Sequence, residues 1–203
     1  GLINKDRAMP SVDFGKIPSV HDTVYLSAVD EEGNACSFIN SLFAGFGSGL
    51  VVPGTGIALQ NRAALFNLNK DHPNALAPNK RPFHTIIPAM VTREGKPFLS
   101  FGVMGGDMQP QGHAQVLVNI IDHGMDVQAA ADAPRWTHFP GTDPRSIDQE
   151  MVLRMEDGFD EDVIGGLEKR GHKLREYPEV GTPGAVQLIH INHETGVHTG
   201  GTD

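Results

Sequence analysis

Two hydroxyl side chains and one pair of glycines are the residues of this sequence that could do chemistry together. Thr23 opens a run of strand-forming residues, and Ser41 lies near the end of the next such run. Gly105 and Gly106 follow a later run. A hydroxyl can attack a carbonyl carbon when a base takes its proton, and glycine lets backbone N–H groups approach a substrate closely. The same residues also fit polar strand positions and a tight turn, so both interpretations stay open at this point.

A predicted β-hairpin positions the two hydroxyls. Residues 23–29 are rich in strand formers, residues 31–34 are typical of a turn, and residues 35–42 favour a second strand. Further strands are predicted at 85–92, 97–103 and 185–191. Helices are predicted after the loop 104–112, with apolar residues at 116, 118, 120 and 121, and at 128–133 and 161–170. Strands followed by helices and then strands again favour a layered α+β fold over regular βαβ winding.

Composition excludes several classes of function. The net charge of −9 over 203 residues disfavours nucleic-acid and anionic-membrane partners, whose binding needs a basic surface. Hydrophobic residues make up 39% of the chain, which is enough to build a core, and no apolar run approaches the ~18–20 residues of a membrane span. Cys36 is the single cysteine, so an internal disulfide and a multi-cysteine zinc site are excluded. We expect Cys36 to be a small core residue.

The two ends of the chain predict a piece of a longer protein. Residue 1 is Gly and the first methionine is Met9. Residues 1–22 are polar and contain proline without a sustained period, which is typical of a linker or the end of an upstream segment. Residues 200–203 are turn-like and follow a predicted strand. Two regions are therefore expected, with the boundary between residues 22 and 23.

Six short motifs, in order and at near-constant spacing, resemble the gamma-glutamyltranspeptidase family. The segment from Asp22 to Asp30, followed by Gly33-Asn34-Ala35, resembles the start of the family's small subunit. The other matching motifs are Phe46-Gly47-Ser48-Gly49, Pro53-Gly54-Thr55-Gly56-Ile57, Pro78-Asn79-Lys80-Arg81-Pro82, Gly105-Gly106 and Ala133-Pro134-Arg135. The resemblance covers residues 23–203 as a small subunit, and residues 1–22 resemble the end of the large subunit.

The resemblance implies a fold and a maturation reaction. Family members are N-terminal-nucleophile hydrolases with a layered αββα architecture, made as precursors that cut themselves before a threonine. The matching bond here is Asp22–Thr23, and the cut frees an α-amine on the residue that carries the nucleophilic hydroxyl. Such an amine has a reference pKa of ~7.7–8.0, so it can take the hydroxyl proton near neutral pH. No cofactor is expected, and the partner implied is a large-subunit segment upstream of residue 1.

The resemblance also implies roles for Ser41 and for the glycine pair. Ser41 matches a second hydroxyl that lies beside the nucleophile and orients it. Gly105 and Gly106 match a pair whose N–H groups form the oxyanion hole. Such donors act where charge develops, and losing one costs ~10²–10³ in rate.

The substrate-binding positions depart from the family pattern. Phe43 stands where transpeptidases carry an asparagine, Arg62 and Leu65 stand at a polar and an acidic position, and His84 and Thr85 replace paired serines. In the family, the acidic residue at the position of Leu65 binds the substrate's ammonium group. Leu65 has no charge and cannot do this. We therefore expect Arg62, His84 and Thr85 to bind an acyl group that has a carboxylate and no ammonium. The other interpretation of Arg62 is a surface cation.

The function expected from these residues is an autoprocessing threonine amidohydrolase or acyltransferase that acts on gamma-glutamyl or related acyl amides. The alternatives are a glutaryl- or cephalosporin-type acylase and a ligand-binding member of the fold that does not process itself. His190, His193 and His198 lack the spacing of metal ligands, so no metal is expected. A sheet face left exposed without the large subunit would favour homo-oligomers.

Overall fold

A computed structural model describes residues 23–140, 150–177 and 184–203, so Asp22 and the predicted linker over residues 1–22 lie outside the described residues. The strands are β1 Val24–Val29, β2 Ala35–Asn40, β3 Ala89–Arg93, β4 Lys96–Val103, β5 Trp136–Phe139, β6 Val152–Met155, β7 Leu174–Glu176, β8 Val186–Ile191 and β9 His198–Thr202. The helices are α1 Gln109–Ile121, α2 Val127–Asp132 and α3 Glu161–Lys169, and short 3₁₀ turns lie at Arg62–Leu65 and Gly106–Met108.

The strands form three sheets, two of which pack face to face. The hairpin β1–β2 covers one face of the antiparallel sheet β3-β4-β8-β9, and the helices α1 and α2 cover the other face. A third sheet, β5-β6-β7, contains one antiparallel and one parallel pair. The arrangement confirms the predicted layered α+β class.

Alternation along β4 divides its side chains between the two neighbouring layers. Leu99, Phe101 and Val103 face the helices, where they join Val116 of α1 and Leu188 of β8 in the main hydrophobic core. A fully buried side chain of this size contributes roughly 1.5–3 kcal/mol, so this layer holds the sheet and helices together. The intervening residues of β4 face the hairpin.

Two predicted strands are shorter than expected by two residues or more. The sequence predicts that the second hairpin strand reaches residue 42, but the strand ends at Asn40. Beyond it, the Phe43 N–H donates to Ser41 Oγ at 2.9 Å, and Phe43 takes a φ of +83°, which turns the chain away from the ladder. The strand predicted over 85–92 begins at Ala89, since Pro88 has no N–H to donate to a ladder.

The prediction of a turn at residues 200–203 is wrong, because these residues belong to β9 and the tail after it. β9 pairs antiparallel with β8 along its whole length. A Cβ added at Gly201 would lie 2.7 Å from the Val127 carbonyl oxygen, so close packing on α2 accounts for this glycine. Strands β5, β6 and β7 were also missed, since segments of three or four residues carry little periodic signal.

The outward face of the β1–β2 hairpin is apolar and open. Val24 is 62% exposed, Leu26 45% and Phe38 49%, and each belongs to this face by strand alternation. Cys36 lies on the same face and is exposed, so its predicted place in the core is wrong. Its partner Ala28 is also exposed, because the register sends the whole even-numbered set outward.

The helices of the described ranges are short. The longest, α1, has 13 residues, and none is both long and apolar enough to cross a bilayer. Helix α2 begins at a well-formed N-cap, where the Asp126 carboxylate accepts from the Ala129 N–H at 2.8 Å.

Candidate active site

The hairpin register ends one residue short of both predicted hydroxyls. Its last pair is Val24 opposite Asn40, and Thr23 and Ser41 flank this pair at the same end of the hairpin. Tyr25 and Ile39 are the next pair on the same face, and both are buried against the second sheet. By strand alternation Thr23 and Ser41 belong to this same inward face, at the end of the hairpin.

Ser41 is held in place by the turn that follows β2. It is 8% exposed, and its Oγ accepts from the Phe43 N–H. The next segment of chain folds back on this turn: the Asn61 N–H donates to Leu42 O at 3.1 Å, and Asn61 Oδ1 accepts from the Ala44 N–H at 3.1 Å. These bonds bring residues 61 and 62 beside the end of β2.

Arg62 is a buried cation and not a surface one. Only 6% of the residue is exposed, and its Cζ lies 5.3 Å from the centre of the Phe43 ring. A guanidinium nitrogen donates to Thr85 Oγ1 at 3.4 Å. Within the described residues its Nε has no hydrogen-bond partner and no carboxylate forms an ion pair with it.

Burial lowers the pKa of the Arg62 guanidinium below its usual range, yet arginine stays charged at neutral pH. A buried charge is costly when nothing compensates it. The described part of the site therefore presents positive charge and an unused donor to any anion that enters beside Ser41.

The two residues predicted beside Arg62 differ in how they are placed. Thr85 is 7% exposed and contacts the guanidinium directly. His84 is exposed, and its Nδ1 accepts from the Ile86 N–H at 3.3 Å. That bond leaves Nε2 as the remaining polar side-chain atom of His84. A contact between His84 and the substrate stays a prediction.

Gly105 and Gly106 lie where β4 passes into α1. The chain leaves β4 at Val103, turns at Gly105 with a φ of +149° and at Gly106 with a φ of +61°, and enters the 3₁₀ turn before α1. Side chains rarely adopt such positive φ values, so glycine is required here for the backbone path itself. The pair thus stands at the N-terminal end of a helix, where backbone N–H groups and the helix dipole favour negative charge.

Two contacts fix the loop that carries the glycine pair. The Met104 N–H donates to Ala185 O at 2.9 Å, and a Cβ added at Gly184 would lie 1.6 Å from Met104 O. On the other side, the Val103 N–H donates to His113 Nε2 at 3.1 Å. Burial lowers the pKa of His113 to about 4, so this ring is neutral and its Nε2 accepts at neutral pH.

Sequence reasoning missed three residues that support the site: Tyr25, His113 and Gly184. The sequence pattern identifies Tyr25 only as a strand former, although it lies two residues after Thr23 and therefore belongs to the same face of the hairpin as Thr23. His113 was part of a predicted helix without a role, and no local signal marks it. Gly184 lies just before a predicted strand, a position where a glycine suggests close backbone approach.

Two open clefts in the described ranges lie away from these residues. One, of about 430 Å³, is lined by the β3–β4 turn and the end of β8, and the other, of about 390 Å³, lies beside α3. Among the described residues no group of three histidine, cysteine or acidic side chains is placed to hold a metal ion.

Sequence comparison connects the whole chain with one family. The profile of the family described as Gamma-glutamyltranspeptidase matches residues 1–203. A glutathione hydrolase-like YwrD proenzyme of Bacillus subtilis is 39% identical over 92% of this chain and 35% of its own length. An oxamate amidohydrolase proenzyme of Klebsiella pneumoniae is 39% identical over 93% of this chain and 35% of its own. The chain spans about a third of the length of these relatives.

Structure comparison agrees with the sequence. The crystal structure of a cephalosporin acylase from Bacillus halodurans superposes with a TM-score of 0.79 and 47% identity, covering 88% of this chain and 32% of that one. The layered arrangement of sheets and helices described above is therefore shared with a solved enzyme whose sequence is also related.

Proposed function

The chain belongs to the gamma-glutamyltranspeptidase family, and on that premise we propose that it carries the nucleophile of an autoprocessing threonine amidohydrolase or acyltransferase. Thr23 is the nucleophile, and Asp22–Thr23 is the bond cleaved on maturation. The observation that carries this proposal is the hairpin register: its last pair is Val24 and Asn40, which puts Thr23 and the buried Ser41 at the same end of the hairpin. A second hydroxyl there can orient the nucleophile by hydrogen bonding.

The reaction follows from the groups that maturation would free. The new α-amine of Thr23 takes the proton of the Thr23 hydroxyl, and Oγ1 forms a bond to the amide carbon of the substrate. The carbonyl oxygen becomes an oxyanion, which accepts from the N–H groups of Gly105 and Gly106. The C–N bond then breaks, the departing amine takes the proton from the α-amine, and an ester to Thr23 remains. Water or an amine attacks that ester and releases the acyl group.

The glycine pair suits the oxyanion role for two reasons. No carbonyl or side chain in the described ranges accepts from the N–H of Gly105 or Gly106. The loop is also held rigidly by Ala185 and His113, so its donors need not reorganise during the reaction. Preorganised donors of this kind supply a large part of the rate enhancement in acyl transfer.

The acyl group we propose carries a carboxylate and lacks an ammonium. Arg62 supplies a buried positive charge whose Nε has no partner among the described residues, and its guanidinium donates to Thr85 Oγ1 at 3.4 Å. Leu65, also buried, offers no counterion to an ammonium group. One similar protein fits this class by name, since oxamate is an amide whose acyl part ends in a carboxylate.

The similarity to a cephalosporin acylase favours hydrolysis as the second half of the reaction. In that case water is the acceptor and the protein is an acylase rather than a transpeptidase. Comparing amine-dependent transfer with plain hydrolysis on one substrate separates the two. The proposed partner in either case is the large-subunit segment upstream of residue 1, which covers the open apolar face of the hairpin.

The test of the nucleophile is the intact mass of the full-length gene product, followed over time. We expect the wild type to split between Asp22 and Thr23, and a Thr23→Ala variant to stay whole. Thr92→Ala, an exposed threonine on β3, is the matched control and should split like the wild type. A wild type that stays whole under all conditions would contradict the proposal and favour a ligand-binding member of the fold.

The test of the acyl class compares anilides of matched length. We expect the mature enzyme to turn over a glutaryl anilide faster than a γ-glutamyl anilide, because the two differ only in the α-ammonium. Efficient use of the γ-glutamyl anilide with no turnover of the glutaryl one would overturn the assignment of Arg62 while leaving Thr23 as the nucleophile.

A further inference from the structure

The side chain of Tyr25 joins the strand that begins after Thr23 to the strand that leads to Gly105. Tyr25 is 2% exposed and lies two residues after Thr23. Its ring fills the space in which Gly102 would carry a side chain: an added Cβ there would lie 2.3 Å from Tyr25 Cδ2 and 2.5 Å from Cε2. Gly102 is three residues before Gly105 on the same chain. The Tyr25 ring therefore packs between β1, which follows Thr23, and the end of β4, which precedes Gly105.

The Tyr25 hydroxyl is bonded to residues of both sheets. It lies 2.7 Å from Ser37 Oγ on β2 and 3.4 Å from Ser100 Oγ on β4. Ser37 Oγ also donates to Ala89 O at 2.9 Å, and Ser27 Oγ donates to Ser100 Oγ at 2.6 Å. These bonds tie the hairpin to β3 and β4, so the sheets cannot slide over one another without breaking them.

We propose that Tyr25 is a positioning residue that sets the spacing between the Thr23 hydroxyl and the N–H groups of Gly105 and Gly106. The inference rests on the proposed function, because it assigns these two groups to one reaction centre. Gly102 is the counterpart of Tyr25, since its missing side chain lets the ring approach the backbone of β4.

Tyr25 is expected to affect the rate of the chemical step and not the binding of substrate. Displacing reacting groups by about 1 Å can cost on the order of 10²-fold in rate, so a site needs supports that are already rigid. Tyr25 is buried between the sheets and makes all its contacts before substrate arrives. A substrate therefore binds as well to an enzyme with a shifted hairpin, but its carbonyl carbon is attacked more slowly.

The first test adds a methyl group at the contact. Gly102→Ala is compared with Gly200→Ala, which lies in the same four-stranded sheet and whose added Cβ would meet only Leu188 O, at 3.9 Å. Both are made in the full-length protein, matured, and counted by burst titration of the acyl-enzyme. We expect Gly102→Ala to lower kcat per titrated site by about 10²-fold with KM unchanged. Gly200→Ala should leave kcat and KM unchanged.

The second test keeps the fold if the first variant fails to mature. Tyr25→Phe retains the ring and removes only the hydroxyl, and we expect about a fivefold loss of kcat with KM unchanged. In a Tyr25→Ala background the added methyl of Gly102→Ala has no ring to displace. Adding Gly102→Ala to Tyr25→Ala should therefore not lower kcat any further. If Gly102→Ala acted by destabilising β4 in general, it would lower kcat in this background as well.

The outcomes separate the two proposals. If the wild type matures and acylates while Gly102→Ala and Tyr25→Phe keep the kcat of Gly200→Ala, the positioning role is overturned and the proposed function stands. Losses that come from a raised KM overturn it as well. If the wild type never splits before Thr23, the proposed function fails and the positioning role fails with it.

Discussion

The Asp203 carboxylate lies 2.5 Å from a guanidinium nitrogen of Arg135, and its other oxygen accepts from the Val186 N–H at 3.2 Å. Glu156 approaches the same guanidinium at 3.7 Å and accepts from the Arg135 N–H at 2.7 Å. Arg135 is 5% exposed. One buried cation thus links the end of β9 and the start of β8 to the third sheet, next to the segment that supports the glycine pair.

Replacing Asp203 by asparagine should destabilise the protein more than replacing Glu156 by glutamine. Asparagine keeps an acceptor for Val186 but removes the closer negative charge from Arg135. Losing this charge-assisted bond costs about 1.5–3 kcal/mol, whereas Glu156→Gln leaves the 2.5 Å pair intact. Urea unfolding of both variants at neutral pH measures the difference. Equal midpoints would show that Asp203 does not stabilise the charge of Arg135 more than Glu156 does.

Removing the charge of Arg62 should weaken binding of acyl amides that carry a carboxylate. Arg62→Met keeps much of the buried volume, and the loss of a charged hydrogen bond of about 1.5–3 kcal/mol corresponds to a rise in KM of roughly 10- to 100-fold. Steady-state kinetics with a glutaryl anilide measure this change. A butyryl anilide, which lacks the carboxylate, should show no such rise.

The control for Arg62 is Arg93→Met, because Arg93 also stacks on a phenylalanine but lies at the turn between β3 and β4. Its KM for the glutaryl anilide should match that of the wild type. A similar rise in both variants, or for both substrates, would argue against a carboxylate at Arg62.

Phe43→Asn should raise the use of γ-glutamyl anilides relative to glutaryl anilides. Phe43 has a φ of +83°, a value that asparagine tolerates better than phenylalanine, so the turn after Ser41 keeps its shape. The change removes the ring over Arg62 and supplies an amide that can bond to an α-ammonium or α-carboxylate. The ratio of kcat/KM for the two anilides measures the shift, and a ratio equal to that of the wild type contradicts the expectation.

Acid should destabilise the protein in part through His113. Its pKa in the folded state is about 4, below the value of about 6.5 expected when unfolded, because burial disfavours the charged ring. The unfolded chain therefore binds a proton between these values that the folded chain does not. The contribution of His113 to stability is complete above about pH 6.5 and is lost as the pH falls towards 4, with a size on the order of 3 kcal/mol.

His113→Gln isolates this contribution, because glutamine offers an oxygen to the Val103 N–H and does not titrate. The urea midpoint is measured at pH 7.5 and at pH 5. Its decrease between these two pH values should be larger in the wild type than in the variant. Equal falls would show that other groups account for the acid sensitivity of the protein.

The hairpin could be predicted from sequence because its signals are local. Strand formers flank a turn around Gly33, and the alternation of Tyr25 with its neighbours shows which residues share a face. The family, the layered α+β class and the glycine pair before α1 followed from motifs in the same way. The ends of the strands do not follow from the residue pattern, since Phe43 and Pro88 act through backbone geometry that a pattern does not display.

Burial and partners of charged residues depended on tertiary structure. Arg62 could be a surface cation or a buried one on sequence alone, and the loop that carries it had to fold back on Ser41 to decide between them. The residue type of Cys36 predicts a place in the core, but the register of β2 turns this side chain outward. The turn expected at residues 200–203 became a strand because β8 offers an edge to pair with.

The sequence by itself determined which residues could do chemistry: a threonine just before the first strand, a serine just after the second, and glycines where the backbone must turn. These features are local, and the covalent order of the residues is enough to specify them. Only the tertiary structure decided which distant residues support that chemistry. Tyr25 meets Gly102, and Asp203 meets Arg135, across separations that no local pattern encodes, because packing between layers depends on the whole chain at once.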